Sequence, residues 1–167
     1  NGERTVFVRG KTGQAVRASS SIPGVFEAVA IGKAHYVDGG VVSPVPVDAA
    51  RELGADFVIA VDISSKADGI ASTTSMLGNV NQSIRIMGQK LGALELARAD
   101  IVIRPKVNDI GPADFAAKNR AILEGERAAQ AALPQIRAKI AALQAARTAK
   151  ARQAADGEAA RQREAER

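Results

Sequence analysis

Two near-continuous apolar runs constrain this chain more than any other feature. Asp56 to Ile63 reads DFVIAVDI, and Ala99 to Arg104 reads ADIVIR. A run without polar alternation is what a parallel strand covered on both faces requires, because water reaches neither side. Between the two runs Leu77, Val80, Ile84, Met87, Leu91 and Leu94 recur at alternating spacings of three and four. That is the period of an amphipathic helix, here too short for a coiled coil, so a core-packing helix is expected. Strands alternating with helices of fitting length set the class as α/β, with a mostly parallel sheet and helices on both faces.

The remaining segments fit this scheme. Thr5 to Arg9 (TVFVR) alternates and is β-branched, so it reads as a strand. Gln14 to Ser19 reads as a short helical turn, ended by the loop from Ser19 to Gly24. Ala34 to Val37 is a second short strand, closed by Asp38-Gly39-Gly40. Pro44 and Pro46 lead into a helix from Val47 to Leu53, which Gly54 stops. Lys66 to Ser72 is a polar loop, and Asn108 to Pro112 is a turn. Ala113 to about Arg147 is helical, with Leu133, Ile136, Ile140 and Leu143 on one face and Pro134 as an expected kink or break. Beyond Arg147 no apolar residue larger than Ala occurs. Residues 148–167 are therefore expected to form a helical or disordered tail on a unit spanning residues 1–147.

Composition removes several function classes. The chain is 46% hydrophobic but only 3% aromatic. Of its 34 alanines, 20 lie from Ala113 onward, so the hydrophobic fraction overstates the area it can bury. Zero cysteines exclude a disulfide scaffold, a Cys-ligated zinc site and a cysteine nucleophile. A single histidine, His35, leaves little scope for a His-based metal site, and no cofactor is expected. Lys plus Arg exceed Asp plus Glu by five. From Thr148 to Arg167, however, five basic and four acidic residues are closely mixed, which suits a solvated helix better than a phosphate-binding stripe. Stacking aromatics are scarce as well, so nucleic acid is not an expected partner. Peripheral contact with an anionic lipid surface stays open to a basic chain.

Most motif candidates weaken on inspection. Gly10-Lys11-Thr12 suggests a phosphate loop, but Thr5 stands where that motif needs its first Gly, and residues 5–9 read as strand. Ser19, Ser20 and Ser21 precede Pro23-Gly24, and their hydroxyls are expected to satisfy backbone groups, because no G-x-S-x-G elbow exists in the 167 residues. His35 and Asp38 are three apart, so on one strand they point to opposite faces. In parallel sheets ligands sit beyond the carboxyl ends of strands. Asp38 and Asp62 stand at such ends. Asp62 is either a ligand for a metal or ribose, or a cap on the Ser64-Ser65 loop, which is the favoured role. In Asp38-Gly39-Gly40 the glycines permit a sharp turn and a close approach of other backbone.

Taken in order, these pieces resemble a known family. Ala15 to Phe26 (AVRASSSIPGVF), Tyr36 to Val42 (YVDGGVV), Pro44-Val45-Pro46, Leu53-Gly54-Ala55-Asp56, Ala99 to Pro105 and Ala121 to Glu126 together resemble the C-terminal half of the catalytic domain of bacterial patatin-like phospholipases. The resemblance covers about residues 1–135. It implies a three-layer hydrolase fold whose N-terminal part is missing from these residues. It also implies a serine lipid acyl hydrolase with a Ser-Asp dyad, on lipid or lysophospholipid acyl esters. Asp38 would be the dyad carboxylate, and Gly39 and Gly40 would complete its motif. The family's Gly-rich oxyanion loop and G-x-S-x-G elbow are not in this sequence. The nucleophile is therefore expected from a preceding half of the same domain. A missing half predicts an exposed sheet edge at Thr5 to Arg9.

A serine hydroxyl is a weak nucleophile and needs a positioned base, which is why a lone dyad aspartate implies a serine elsewhere. Ile22, Pro23, Val25 and Phe26 are candidates for lining an acyl pocket, and core packing explains them equally well. The competing expectation is a non-catalytic binding or regulatory module with a basic helical tail.

Overall fold

A computed structural model of the chain describes residues 1–64, 76–111 and 114–165. The expected polar loop from Lys66 to Ser72 lies outside them. In chain order the elements are α1 (Thr12–Ser19), β1 (Val29–Ile31), β2 (Ala34–Tyr36), a 3-10 turn (Gly39–Val41), α2 (Val47–Glu52), β3 (Ile59–Val61), α3 (Met76–Leu96), β4 (Ile101–Ile103), a second 3-10 turn (Phe115–Ala117) and α4 (Lys118–Ala165).

The two apolar runs pair as their composition requires. β3 and β4 are parallel, with Ile59 opposite Ile101, Ala60 opposite Val102 and Val61 opposite Ile103, and α3 makes the crossover between them. Backbone bonds from Asp62 N to Ile103 O (2.9 Å) and from Asp100 N to Val58 O (3.0 Å) lengthen the ladder at both ends. Val58 and Ala60 join Val47 of α2 and Leu96 of α3 in one core, with Val102 packed against it. Burying a Val or Leu side chain of this kind contributes about 1.5–3 kcal/mol. On the opposite face Ile101 and Ile103 are buried, and α4 packs against β4. Helices thus lie on both faces of this pair. α4 is further held by Lys139 Nζ donating to Asp100 O (2.6 Å) and by an ion pair between Arg147 and Asp56.

β1 and β2 form a separate antiparallel hairpin, with Ala30 opposite His35. Its two-residue turn is Gly32-Lys33, and Gly32 has φ 63°. That conformation at the first turn position is why a glycine stands there.

Several expectations are corrected. The described residues form two two-stranded sheets, one antiparallel and one parallel, not one larger, mostly parallel sheet. Thr5 to Arg9 is not a strand: alternation supplies the pattern, but a strand exists only through a ladder, and no described strand pairs with it. β3 is covered on one face only, since Ile59 and Val61 stay exposed.

The apolar stripe of α3 is not its docking face. Val80, Ile84, Met87 and Leu94 are 51–64% exposed. The helix packs instead through Gly92, Glu95 and Leu96, because Gly92 admits Pro44 and Val45 at 3.6 and 3.8 Å from an added Cβ and Glu95 satisfies two donors there. Pro134 does not end α4, which runs through it as a single helix to Ala165. Ala-rich flanks, with the best helix propensity, offset the lost N–H. Residues 148–165 continue the same helix, one of the two forms expected for them.

Candidate active site

Asp38 is held at both its backbone and its side chain. Its N–H donates to Ser21 O at 2.9 Å, just past the end of β2. Ser21 is itself buried, and its Oγ donates to Arg17 O at 2.8 Å, which ties the strand end to α1. Ser20 Oγ likewise donates to Val16 O, so these hydroxyls serve the backbone. Asp38 Oδ1 accepts Gly40 N–H at 2.7 Å and caps the 3-10 turn. Its Oδ2 makes no hydrogen bond among the described residues.

The two glycines have different reasons to be there. Neither has a positive φ. A Cβ on Gly40 would sit 3.0 Å from Asp38 Oδ1, whereas a Cβ on Gly39 would meet nothing within 4 Å. The approach of the carboxylate, not the turn, is what favours glycine at position 40.

The segment after the turn is clamped from a distance. Ser43 Oγ donates to Glu95 Oε1, and Val45 N donates to Glu95 Oε2 at 2.8 Å. Glu95 was not singled out from the sequence. The available signal was a lone carboxylate between Leu94 and Leu96 in the last turn of an apolar helix. Two N-terminal residues were also missed. Arg4 Nη2 donates to both carboxylate oxygens of Glu52 at 2.6 Å, and the Phe7 ring meets Tyr36 edge-on with centroids 5.1 Å apart. These contacts hold residues 4–7 beside Asp38.

Asp38 borders two depressions. One, of about 550 Å³, is lined by Arg4, Phe7, Val16 and Gly40 among others, and the second, of about 420 Å³, by His35, Tyr36 and Val42. His35 is exposed on β2 and makes no hydrogen bond to Asp38 among the described residues. Ile22, Pro23, Val25 and Phe26 are exposed and line neither depression. Phe26 borders a separate one with Arg17, Ser20, Ser21 and Glu27.

Asp62 caps its loop, as favoured. Its Oδ1 accepts Ser64 N (3.1 Å) and Ser64 Oγ (2.5 Å), and its Oδ2 accepts Arg104 Nε (3.1 Å). Partial burial pushes the carboxyl pKa up, but the Ser64 bonds and Arg104 outweigh this and hold it below the usual value. Asp100 is also held low, first by the Val58 N–H, against a smaller opposing effect of burial, and then by Arg51 and Lys139. No helix among the described residues is long and apolar enough to cross a membrane.

Residues 5–51, the segment carrying Asp38 and its turn, match the family described as patatin-like phospholipase. Among curated proteins the chain is similar to uncharacterised NTE family proteins of Mycobacterium bovis and of two Mycobacterium tuberculosis strains. Each is 28% identical over 156 residues, covering 79% of this chain. The chain spans only 27% of the length of these relatives. The match over residues 5–51 implies the patatin fold for that segment, and together with the similarity to the NTE relatives it supports a patatin-like family.

Proposed function

We propose that this chain contributes the base carboxylate, Asp38, of a Ser-Asp dyad in a lipid acyl-ester hydrolase. The nucleophilic serine comes from outside the 167 residues. The observation that carries this is the state of Asp38 itself. It is half-buried and fixed through its N–H and Oδ1, with Oδ2 unbonded among the described residues beside two open depressions. A carboxylate so held can accept a hydroxyl proton without first breaking a bond to the protein.

In this proposal Gly39 and Gly40 complete the motif. Ile22, Pro23 and Phe26 offer exposed apolar surface to an acyl chain on the loop whose Ser21 carbonyl holds Asp38. The substrate is a lipid or lysophospholipid acyl ester, and residues 1–147 form part of the catalytic unit. Residues 148–167 form its tail, helical as far as Ala165.

The test is p-nitrophenyl butyrate turnover by the protein that carries this segment, with and without Asp38→Asn. Loss of a positioned general base lowers the rate by about 100-fold or more. Unchanged turnover would reject the dyad role and favour the non-catalytic module. The 167-residue chain alone is expected to give no burst of p-nitrophenol.

A further inference from the structure

Another cleft, sharing no residue with the depressions at Asp38, opens at the carboxyl ends of β3 and β4 and has a volume of about 870 Å³. That end of a parallel pair is where ligands enter α/β sheets. Its apolar wall is Leu96, Val102 and Pro105. Its cationic rim is Arg104 and Lys106.

The charges at this cleft are unevenly used. Arg104 commits only Nε to Asp62, so its two terminal amino groups make no bond among the described residues. The Lys106 ammonium has no partner among them either. The two carboxylates nearby are already occupied. Asp62 accepts three bonds from Ser64 and Arg104, and Asp109 is paired with Arg120 at 2.8 Å. The two cations therefore carry unused donors beside an apolar wall, in a cleft that Asn108 and Asp109 also line.

We propose that this cleft binds an organic anion with an apolar body, an alkyl carboxylate or an alkyl phosphate. The Arg104 fork and the Lys106 ammonium take the oxyanion. Leu96, Val102 and Pro105 take the alkyl group. The site is separate from the Asp38 role and is read by binding, not turnover, so either can fail without the other.

The test is calorimetric titration of the full 167-residue chain with octyl phosphate, octanoate, inorganic phosphate and octanol. One octyl anion is expected to bind per chain, at least about tenfold more tightly than inorganic phosphate, because the buried methylenes contribute. A preference for octanoate or octyl phosphate identifies the head group. Lys106→Gln, which breaks no bond among the described residues, is expected to weaken binding about tenfold. Lys33→Gln, on the hairpin turn, should leave it unchanged. Equal binding of octanol and the octyl anions would overturn the proposal. So would an unaltered Lys106→Gln, an equal loss in Lys33→Gln, or no binding of either octyl anion at millimolar concentration.

Discussion

Ser43 and Glu95, 52 residues apart in sequence, share a hydrogen bond in which both partners are buried. The same carboxylate also accepts the Val45 N–H. One side chain from the last turn of α3 thus anchors the strand of backbone that leaves the Asp38 turn.

Replacing Glu95 by Ala strands two donors in a buried setting. The expected loss is about 2–4 kcal/mol in urea unfolding, and Ser43→Ala, which removes one donor together with its need, should cost less. The double variant should fall short of the sum by about 1 kcal/mol. Strict additivity would show that the two residues do not act together.

Gly40→Ala and Gly39→Ala should behave differently although the residues are adjacent. At Gly40 the new methyl meets Asp38 Oδ1 at 3.0 Å and must turn the carboxylate. The Asp38 side-chain carboxyl resonance is expected to shift in a carbon NMR spectrum of Gly40→Ala and to stay in place in Gly39→Ala. Equal shifts would remove the packing reason for glycine at position 40.

Acid should unfold the chain partly through Asp62 and Asp100. Both carboxyls titrate below the reference value of 3.8 when folded. The stability they add is therefore complete above that reference and is lost as pH falls through their lower folded values. Asp100→Asn frees Arg51 and takes a charged acceptor from Val58 N–H, at a cost of about 1–3 kcal/mol near neutral pH. Its stability should also vary less with pH below 4, about where free carboxyls begin to protonate. A wild-type slope retained in Asp100→Asn would place the acid sensitivity elsewhere.

Pro134→Ala should stabilise α4. The proline cannot donate to the Gln130 carbonyl and sits in the helix interior. Restoring that bond is worth up to about 3 kcal/mol, read as a higher midpoint in thermal melting followed at 222 nm. An unchanged midpoint would mean that α4 unfolds independently of this turn.

How much of this was legible depended on whether the deciding interaction was local. The apolar runs at Asp56 to Ile63 and Ala99 to Arg104 announced a parallel pair, although only β4 is buried as such a run implies, since Ile59 and Val61 of β3 stay exposed. Asp38-Gly39-Gly40 and its neighbours supplied the candidate site, and the match over residues 5–51 covers the same segment. The docking face of α3 was not legible. Periodicity reveals that an apolar stripe exists, but Gly92 and Glu95 matter only through Pro44, Val45 and Ser43, about 50 residues away. The hairpin was half seen, since β2 was read and β1, of the same three-residue length, was not. Thr5 to Arg9 had the pattern of a strand without a described partner to pair with.

The long helix has a mechanical consequence. At 1.5 Å per residue its 48 residues reach about 72 Å. Its last ion pair to the sheet region among the described residues is Arg147 with Asp56. The 18 residues from Thr148 to Ala165 therefore project roughly 27 Å beyond that clasp. A projection of that length drags on solvent far more than its mass suggests. In solution this 17.3 kDa chain should tumble and sediment with the friction of a larger sphere.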